Sequence, residues 1–269
     1  MKTILITGST DGIGKLSAIK LAKDGHQIVL HGRNSEKLEK TISEIKEISS
    51  NENIGGFVSD LSDFSSIQKM ITGLTKDYSK IDILINNAGV FKSNIQKNRD
   101  GLDIRFAVNY FAPYVLTNGL KPLLKKSNSP RIINLSSAAQ ANVTLEALFG
   151  KEIHTAQEAY AQSKLALTMW SFAFAEANPE IMTIAVNPGS LLNTKMANEA
   201  YGQHWSPATK GSDILYDLAV SEEYKGITGK YFDNDKGNPK GVFANAHANA
   251  YDQKKISQLI SETDKYLGL

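Results

Sequence analysis

The sequence predicts an α/β protein: a doubly wound parallel sheet of about seven strands with helices on both faces, residues 1–269 forming a single domain. Three observations predict it. Short β-rich runs alternate with longer helical patterns through most of the chain, and parallel neighbours need a helical crossover between them. Several of the β-rich runs are apolar without alternation, as strands covered on both faces are. The 269 residues, 41% hydrophobic and 22% charged, have the composition of an ordinary globular protein and suffice for a sizeable core.

In chain order, the first strand is Thr3–Thr7, built on Ile4-Leu5-Ile6, and a glycine-rich turn leads from it into a helix over Gly12–Asp24. Strand Gln27–His31 and helix Ser35–Ile48 follow, then strand Ile54–Val58 and helix Asp63–Tyr78. The fourth strand, Ile81–Asn86, leads to a helical stretch over Gly101–Lys126, and the fifth, Arg131–Ser136, to one over Thr155–Ala177. Strand Ile181–Asn187, helix Pro207–Val220 and strand Lys230–Phe232 complete the alternation, and a final amphipathic helix near Ala246–Tyr266 packs on its outside. The stretch Leu165–Ala177 is apolar nearly all round. The sheet alone, or a partner helix as well, would cover it, which leaves a homo-oligomer open.

Several functions are excluded at this level. Lys and Arg number 30 against 28 Asp and Glu, with no polybasic block and no asymmetry between the halves, so neither nucleic acid nor an anionic membrane surface is implied as a partner. Cysteine is absent, which removes disulfides, thiol nucleophiles and Cys-ligated zinc. The five histidines are scattered without metal-binding spacing, so no metal site is expected. No apolar run approaches the roughly 20 residues that cross a bilayer, and no signal peptide is visible, so a soluble, cytoplasmic protein without a membrane anchor is expected.

The chemistry concentrates where strands end. The first strand runs into Thr7-Gly8-Ser9-Thr10-Asp11-Gly12-Ile13-Gly14 and then a helix. Glycines there allow a tight turn and bring a pyrophosphate close to the helix N-terminus, as in a Rossmann-type dinucleotide site, with Gly8, Ser9, Thr10, Gly12, Ile13 and Gly14 as its candidates. A glycine turn alone also fits any loop that needs positive φ. The second strand ends in His31-Gly32-Arg33-Asn34, where a protein preferring the unphosphorylated cofactor would carry an acidic residue for the ribose 2′-hydroxyl. Arg33, with Asn34 beside it, instead matches a 2′-phosphate, so NADP(H) is expected in preference to NAD(H); otherwise Arg33 is a solvated loop residue. His31 reads as a structural strand-end residue with no visible partner. Asp60 and Leu61 stand where an adenine would lie, or belong to a helix cap. Asn86-Asn87-Ala88-Gly89 offers amides that tie neighbouring strand ends together and small residues that let a ligand approach at Asn87, Ala88 and Gly89.

Ser136-Ser137 ends the fifth strand, and Tyr160 with Lys164 opens the long helix that follows. Residues four apart share a helix face, and an ammonium beside a phenol, whose reference pKa is about 10, favours the phenolate. Alone, such a pair is as readily a solvated surface pair. Pro188 and Gly189 fix a turn after the sixth strand, at the sheet edge where open α/β folds bind ligands.

With these motifs in chain order, the sequence resembles the short-chain dehydrogenase/reductase family along essentially its whole length. Its T-G-x-x-x-G-x-G appears as Thr7–Gly14, its N-N-A-G as Asn86–Gly89, its Y-x-x-x-K as Tyr160–Lys164 and its P-G turn as Pro188-Gly189. The resemblance implies a catalytic tetrad of Asn109, Ser137, Tyr160 and Lys164, with Thr194 contacting the nicotinamide carboxamide and Asn109 holding a water in a proton relay. Within the family the chain is most similar to the retinol-dehydrogenase-like group, through Ser163-Lys164-Leu165-Ala166, Gly229-Lys230-Tyr231-Phe232-Asp233 and the 23 positions between Ser137 and Tyr160. The implied activity is hydride transfer between NADP(H) and a small carbonyl or alcohol substrate. Asp11 departs from many NADP-preferring relatives, which carry a basic residue there. Leu145, Leu148, Phe149 and Trp205, on segments that would wall the substrate pocket, suggest an apolar substrate or else pack those loops. The rival reading is a catalytically idle NADP(H)-binding sensor or scaffold.

Overall fold

The computed structural model describes residues 1–237 and 240–269. Its sheet has eight strands: β1 (Thr3–Ile6), β2 (Gln27–Gly32), β3 (Ile54–Val58), β4 (Ile83–Asn86), β5 (Arg131–Leu135), β6 (Met182–Asn187), β7 (Lys230–Asp233) and β8 (Val242–Ala244). Their spatial order is β3-β2-β1-β4-β5-β6-β7-β8, all parallel except the antiparallel pair β7–β8. The doubly wound sheet is thus as expected, with one strand more. β8 has only three residues and follows a stretch of sequence rich in Gly, Asn and Lys, so it shows no run that a periodicity reading could catch.

The helices are α1 (Gly12–Lys23), α2 (Ser35–Ser49), α3 (Phe64–Asp77), α4 (Ile104–Phe106), α5 (Ala112–Leu124), α6 (Leu145–Leu148), α7 (Ala156–Ala177), α8 (Lys195–Tyr201), α9 (Ala208–Val220) and α10 (Gln253–Leu267). Their starts are written in short polar residues: Asp11, Asn34 and Asp63 cap α1, α2 and α3, and Thr155 with Glu158 forms a capping box on α7. Where one helix was expected over Gly101–Lys126, α4 and α5 are joined by a π-turn over Ala107–Phe111. There Ala112 N–H bonds Ala107 O, five residues back, and Pro113, next in the chain, has no N–H for the Asn109 carbonyl. α6 and α8, of four and seven residues, lie below the length that helical periodicity reveals.

Two apolar layers sandwich the sheet. One contains Leu5, Phe106, Phe111, Leu165 and Trp170 under α3, α5 and α7; the other contains Ile4, Leu21, Ile133, Ile184 and Leu215 under α1, α2 and α9. The outer face of α7 is covered within the chain itself by α10 and the turn before it, where Phe172 meets Tyr251 with ring centroids 5.5 Å apart. α10 is pinned by a 2.7 Å Tyr110–Thr263 hydroxyl bond and by Tyr114 donating to Asp264. The register Ile6–Ile85, Ile85–Ile133 and Asn134–Ala185 brings the carboxyl ends of the central strands to one edge, over which the motifs lie.

Candidate active site

The glycine-rich loop after β1 is fastened to the end of β4. Asn87 Nδ2 donates to Thr7 O at 2.8 Å and to Gly8 O at 2.9 Å, and Ala88 N donates to Thr7 Oγ1 at 3.0 Å. Gly8 has φ +64°, and a Cβ on it would stand 2.8 Å from Ala88 Cα. A Cβ on Gly14 would stand 2.4 Å from Asn87 Nδ2 and 2.7 Å from Gly8 O. Both glycines are therefore packing requirements, and the amides of the fourth strand end tie strands together as expected. Ser9 is buried, its Oγ donating to Ile6 O at 2.8 Å. Ile13 packs on the core beneath the loop.

At the outer end of the loop, Asp11 caps α1 by accepting from Gly12 N at 2.8 Å, and its carboxylate takes the Lys37 ammonium at 2.6 Å. That bond holds the Asp11 carboxyl below its ordinary range. Arg33 is exposed just beyond β2, and Asn34 caps α2 by accepting from Lys37 N at 2.7 Å. A Cβ on Gly32 would stand 2.6 Å from Thr10 Cγ2, so a side chain there requires Thr10 to shift. Asp60 does not cap α3; Asp63 does, while Asp60 Oδ1 takes Ser62 N at 2.9 Å. The Leu61 side chain belongs to the core, which leaves its backbone and the exposed Asp60 carboxylate for a ligand. His31, expected to stand alone, is buried with two ring partners: Nδ1 accepts from Gly8 N and Nε2 donates to Ser59 O, both at 3.0 Å.

On the other side, α7 presents Tyr160 and Lys164. Lys164 is buried, its Nζ donates to Leu135 O at 2.6 Å, and desolvation brings its pKa down to about 7. The ammonium lies 5.5 Å from the Tyr160 ring centroid, and Phe91 stands edge-on to that ring at 4.9 Å. Gly89 is the meeting point: a Cβ there would be 3.4 Å from Asn109 Oδ1, 3.5 Å from Lys164 Nζ and 3.7 Å from Met196 Cε. Asn109, in the π-turn, is fully buried. Its Oδ1 accepts from Val90 N at 2.8 Å, and its Nδ2 donates to Val90 O and Ser163 Oγ, each at 3.0 Å. Ser137 lies two residues beyond Leu135, with its Oγ accepting from Ala139 N at 3.1 Å.

Bonds that the sequence did not disclose support these groups. The Ser137 carbonyl is held by Tyr231 Oη and Gln140 Nε2, both at 2.9 Å. Gly189 N donates to Asn187 Oδ1 at 3.2 Å, and Asn187 Nδ2 is held by Asp233 at 2.9 Å and Asp235 at 2.8 Å. Tyr231 and Asp233 sit two apart on β7 and so share a face; the Lys230–Asp233 stretch was the only trace of this arrangement in the sequence. Thr194 caps α8 and turns its methyl toward Gly12, 3.7 Å from where a Cβ would sit, so the turn after Pro188-Gly189 closes over the glycine-rich loop. Lys92 Nζ latches α8 by donating to Glu199 O at 2.9 Å.

The expected pocket walls divide. Leu148 is fully buried, Leu145 packs on the same core, and Phe149 stacks on Tyr266 with centroids 5.2 Å apart, so these three pack their loop. Trp205 is 71% exposed, and Ile95 and Ile153 are likewise exposed on two further loops at this edge.

Comparison with known proteins decides the family. A family model described as short chain dehydrogenase matches residues 2–204. The chain belongs to the short chain dehydrogenase family. Retinol dehydrogenase 13 of Mus musculus is 32% identical over all of this chain and 84% of its own length. Polyprenol dehydrogenase of Homo sapiens is 30% identical over all of this chain and 86% of its own length. These place it in the retinol-dehydrogenase-like group of a family of nicotinamide-dependent oxidoreductases. Among solved structures, a short chain dehydrogenase from Escherichia coli CFT073, complexed with NADPH, has a TM-score of 0.72 and 26% identity, covering 86% of this chain and 95% of that one. Salutaridine reductase from Papaver somniferum shares the fold at a TM-score of 0.71 and 22% identity, covering 86% of this chain and 99% of that one. Among the described residues, no helix is long and apolar enough to cross a membrane.

Proposed function

We propose that this family member, as one catalytic domain, moves a hydride between NADP(H) and the carbonyl carbon of an apolar aldehyde or ketone, or the corresponding alcohol. The observation that carries the reading is the convergence on Gly89 of Asn109 Oδ1 and Lys164 Nζ, one helical turn from Tyr160.

The residues fit a dinucleotide. Gly8 and Gly14 add no side chain to the loop, the first-turn N–H groups of α1 have no intrahelical acceptor, with Gly12 N taken by the Asp11 carboxylate, and Thr194 stands across from Gly12. Gly8, Ser9, Thr10, Gly12, Ile13 and Gly14 would hold the pyrophosphate end. Asp60 and the backbone of Leu61 would wall the adenine, and Asn87, Ala88, Gly89, Pro188, Gly189 and Thr194 the nicotinamide end. Arg33 and Asn34 lie at the ribose end, and Lys37 joins Arg33 there as the basic residue the glycine-rich loop lacks, already neutralising Asp11. That pairing supports a 2′-phosphate. When bound, the nicotinamide supplies or accepts the hydride.

The chain's own residues manage the proton and orient the substrate. Tyr160 Oη donates a proton to the substrate oxygen in reduction and takes it back in oxidation. Lys164, as an ammonium, favours the phenolate and binds the nicotinamide ribose. Ser137 Oγ donates to the substrate oxygen as charge develops on it. The Asn109 amide is engaged by Val90 and Ser163, so a relay water falls to its backbone carbonyl, to which Pro113 offers no N–H. Exposed Trp205, Ile95 and Ile153 support an apolar substrate.

The test follows NADPH absorbance across a panel of apolar aldehydes and ketones, with Tyr160→Phe beside the unsubstituted chain. Turnover is expected, falling by about 10²–10⁴-fold in the variant while its NADPH affinity stays within about two-fold. Cofactor binding without turnover across the panel would favour the idle sensor, and an active Tyr160→Phe would remove Tyr160 from its role.

A further inference from the structure

One buried imidazole joins the two segments assigned above to the dinucleotide. His31, at the end of β2 and 2% exposed, accepts from Gly8 N at Nδ1 and reaches Ser59 O with Nε2, both at 3.0 Å. Because a carbonyl only accepts, Nε2 carries the hydrogen and Nδ1 keeps its lone pair for Gly8 N–H, which fixes the neutral tautomer. The backbone of His31 is locked as well: its N donates to Ser9 Oγ at 2.9 Å, and its carbonyl takes Ser9 N at 3.0 Å. Thus the ring cannot shift without the glycine-rich loop shifting too. Gly8 is the residue whose left-handed φ and close approach to Ala88 set that loop's path, and Ser59 precedes Asp60 and Leu61 at the adenine end.

We propose that His31 is a positioning residue for the dinucleotide, its Nδ1 holding Gly8 and its Nε2–H holding the strand end before the adenine wall. The proposal rests on the reading that these segments carry the cofactor, but not on which cofactor is preferred. The ring touches only backbone and acts on affinity through it. Burial keeps His31 neutral, its pKa pulled down to about 4 with Arg33 and Asp60 as the charged neighbours, so the acceptor at Nδ1 persists through neutral pH.

The two bonds separate chemically. Asn places its Oδ1 near the position of Nδ1 and restores the acceptor for Gly8 N–H, whereas Gln reaches toward Ser59 O and Leu does neither. Dissociation constants for NADPH and for NADH, from quenching of tryptophan fluorescence, are measured for the unsubstituted chain and for His31→Asn, His31→Gln and His31→Leu, with a thermal melt of each. His31→Leu is expected to weaken both cofactors by the same factor, about ten-fold, because a donor of the loop loses its partner. His31→Asn is expected to recover most of that loss in affinity whether or not it recovers the melting temperature. A purely structural role predicts the opposite, melting temperatures that fall with affinities unchanged, and would overturn the proposal. Equal weakening by Asn and Leu would overturn it too, a comparison that Asn against Gln supplies if the Leu variant does not fold. Equal affinities for NADPH and NADH in the unsubstituted chain would refute the cofactor preference alone and leave the His31 ratios standing. Binding of neither cofactor would overturn both readings.

Discussion

On the side proposed to hold the dinucleotide, Gly8 and Gly14 meet backbone and a short amide at distances that leave no room for a Cβ, and the ties run between two strand ends. On the side proposed to carry hydride transfer, side chains reach in from α7, the π-turn and β7, and the central one is an amine stripped of water. The first side is where function and stability want the same residues. The second side mixes structural ties, such as those of Asn109 and Tyr231, with one group the fold would be more comfortable without, the buried Lys164 amine.

The sharpest separation should come from Lys164→Met, since the folded state holds that amine near pKa 7 against an ordinary lysine value of 10.5. Between those values the unfolded chain binds more protons, so stability rises with pH across that window and the full penalty applies below pH 7. Removing the amine is expected to abolish turnover, by about 10³-fold, yet stabilise the fold by about 1–3 kcal/mol at pH 6, the gain fading as pH approaches 10.5. Calorimetric melts at several pH values check this, and a lower melting temperature at pH 6 would erase the contrast.

Gly14→Ala should break the other side. Ala normally favours a helix by about 1 kcal/mol over Gly, but here the Cβ would run into Asn87 Nδ2 and Gly8 O. Stability and affinity for both cofactors are expected to fall together, affinity by about 100-fold, because the clash moves the loop itself. Isothermal titration with NADPH and NADH decides it; an unchanged affinity would show that the loop has slack.

The smallest effect belongs to the rim. Arg33→Ala is expected to weaken NADPH by about ten-fold and leave NADH and the melting temperature unchanged, since an exposed guanidinium contributes a charge-assisted bond and little packing. The same titrations report it, and equal weakening of both cofactors would return Arg33 to a general binding role. Installing an acidic residue at Gly32 is a poor route to NADH, because its Cβ would strike Thr10 Cγ2.

What the sequence disclosed follows the same division. The strands, the long helices and the glycine and amide motifs were legible because each is local: a run of apolar residues, a cap, a spacing along one strand end. The partners of His31 were not, because Gly8 and Ser59 lie 23 and 28 positions away. Tyr231 reaches Ser137 across 94 positions. Whether Phe149 and Leu148 wall a pocket or pack their loop stayed open in the sequence for the same reason, their neighbours being in α10 and the core. Lys37 was within reach of a local reading, one helical turn past Arg33, but only its ion pair to Asp11 shows which way it turns.

The cover that α10 places over α7 also sets an order of events. Strands β1 to β4, with the glycine-rich loop and its amide ties, are complete in the first third of the chain and can form while synthesis continues. The helix bearing Tyr160 and Lys164 emerges next, but its apolar outer face has nothing to lie against until the chain has passed Leu267. A nascent chain therefore has the glycine-rich loop and its amide ties in hand while the outer face of α7 still lacks its cover.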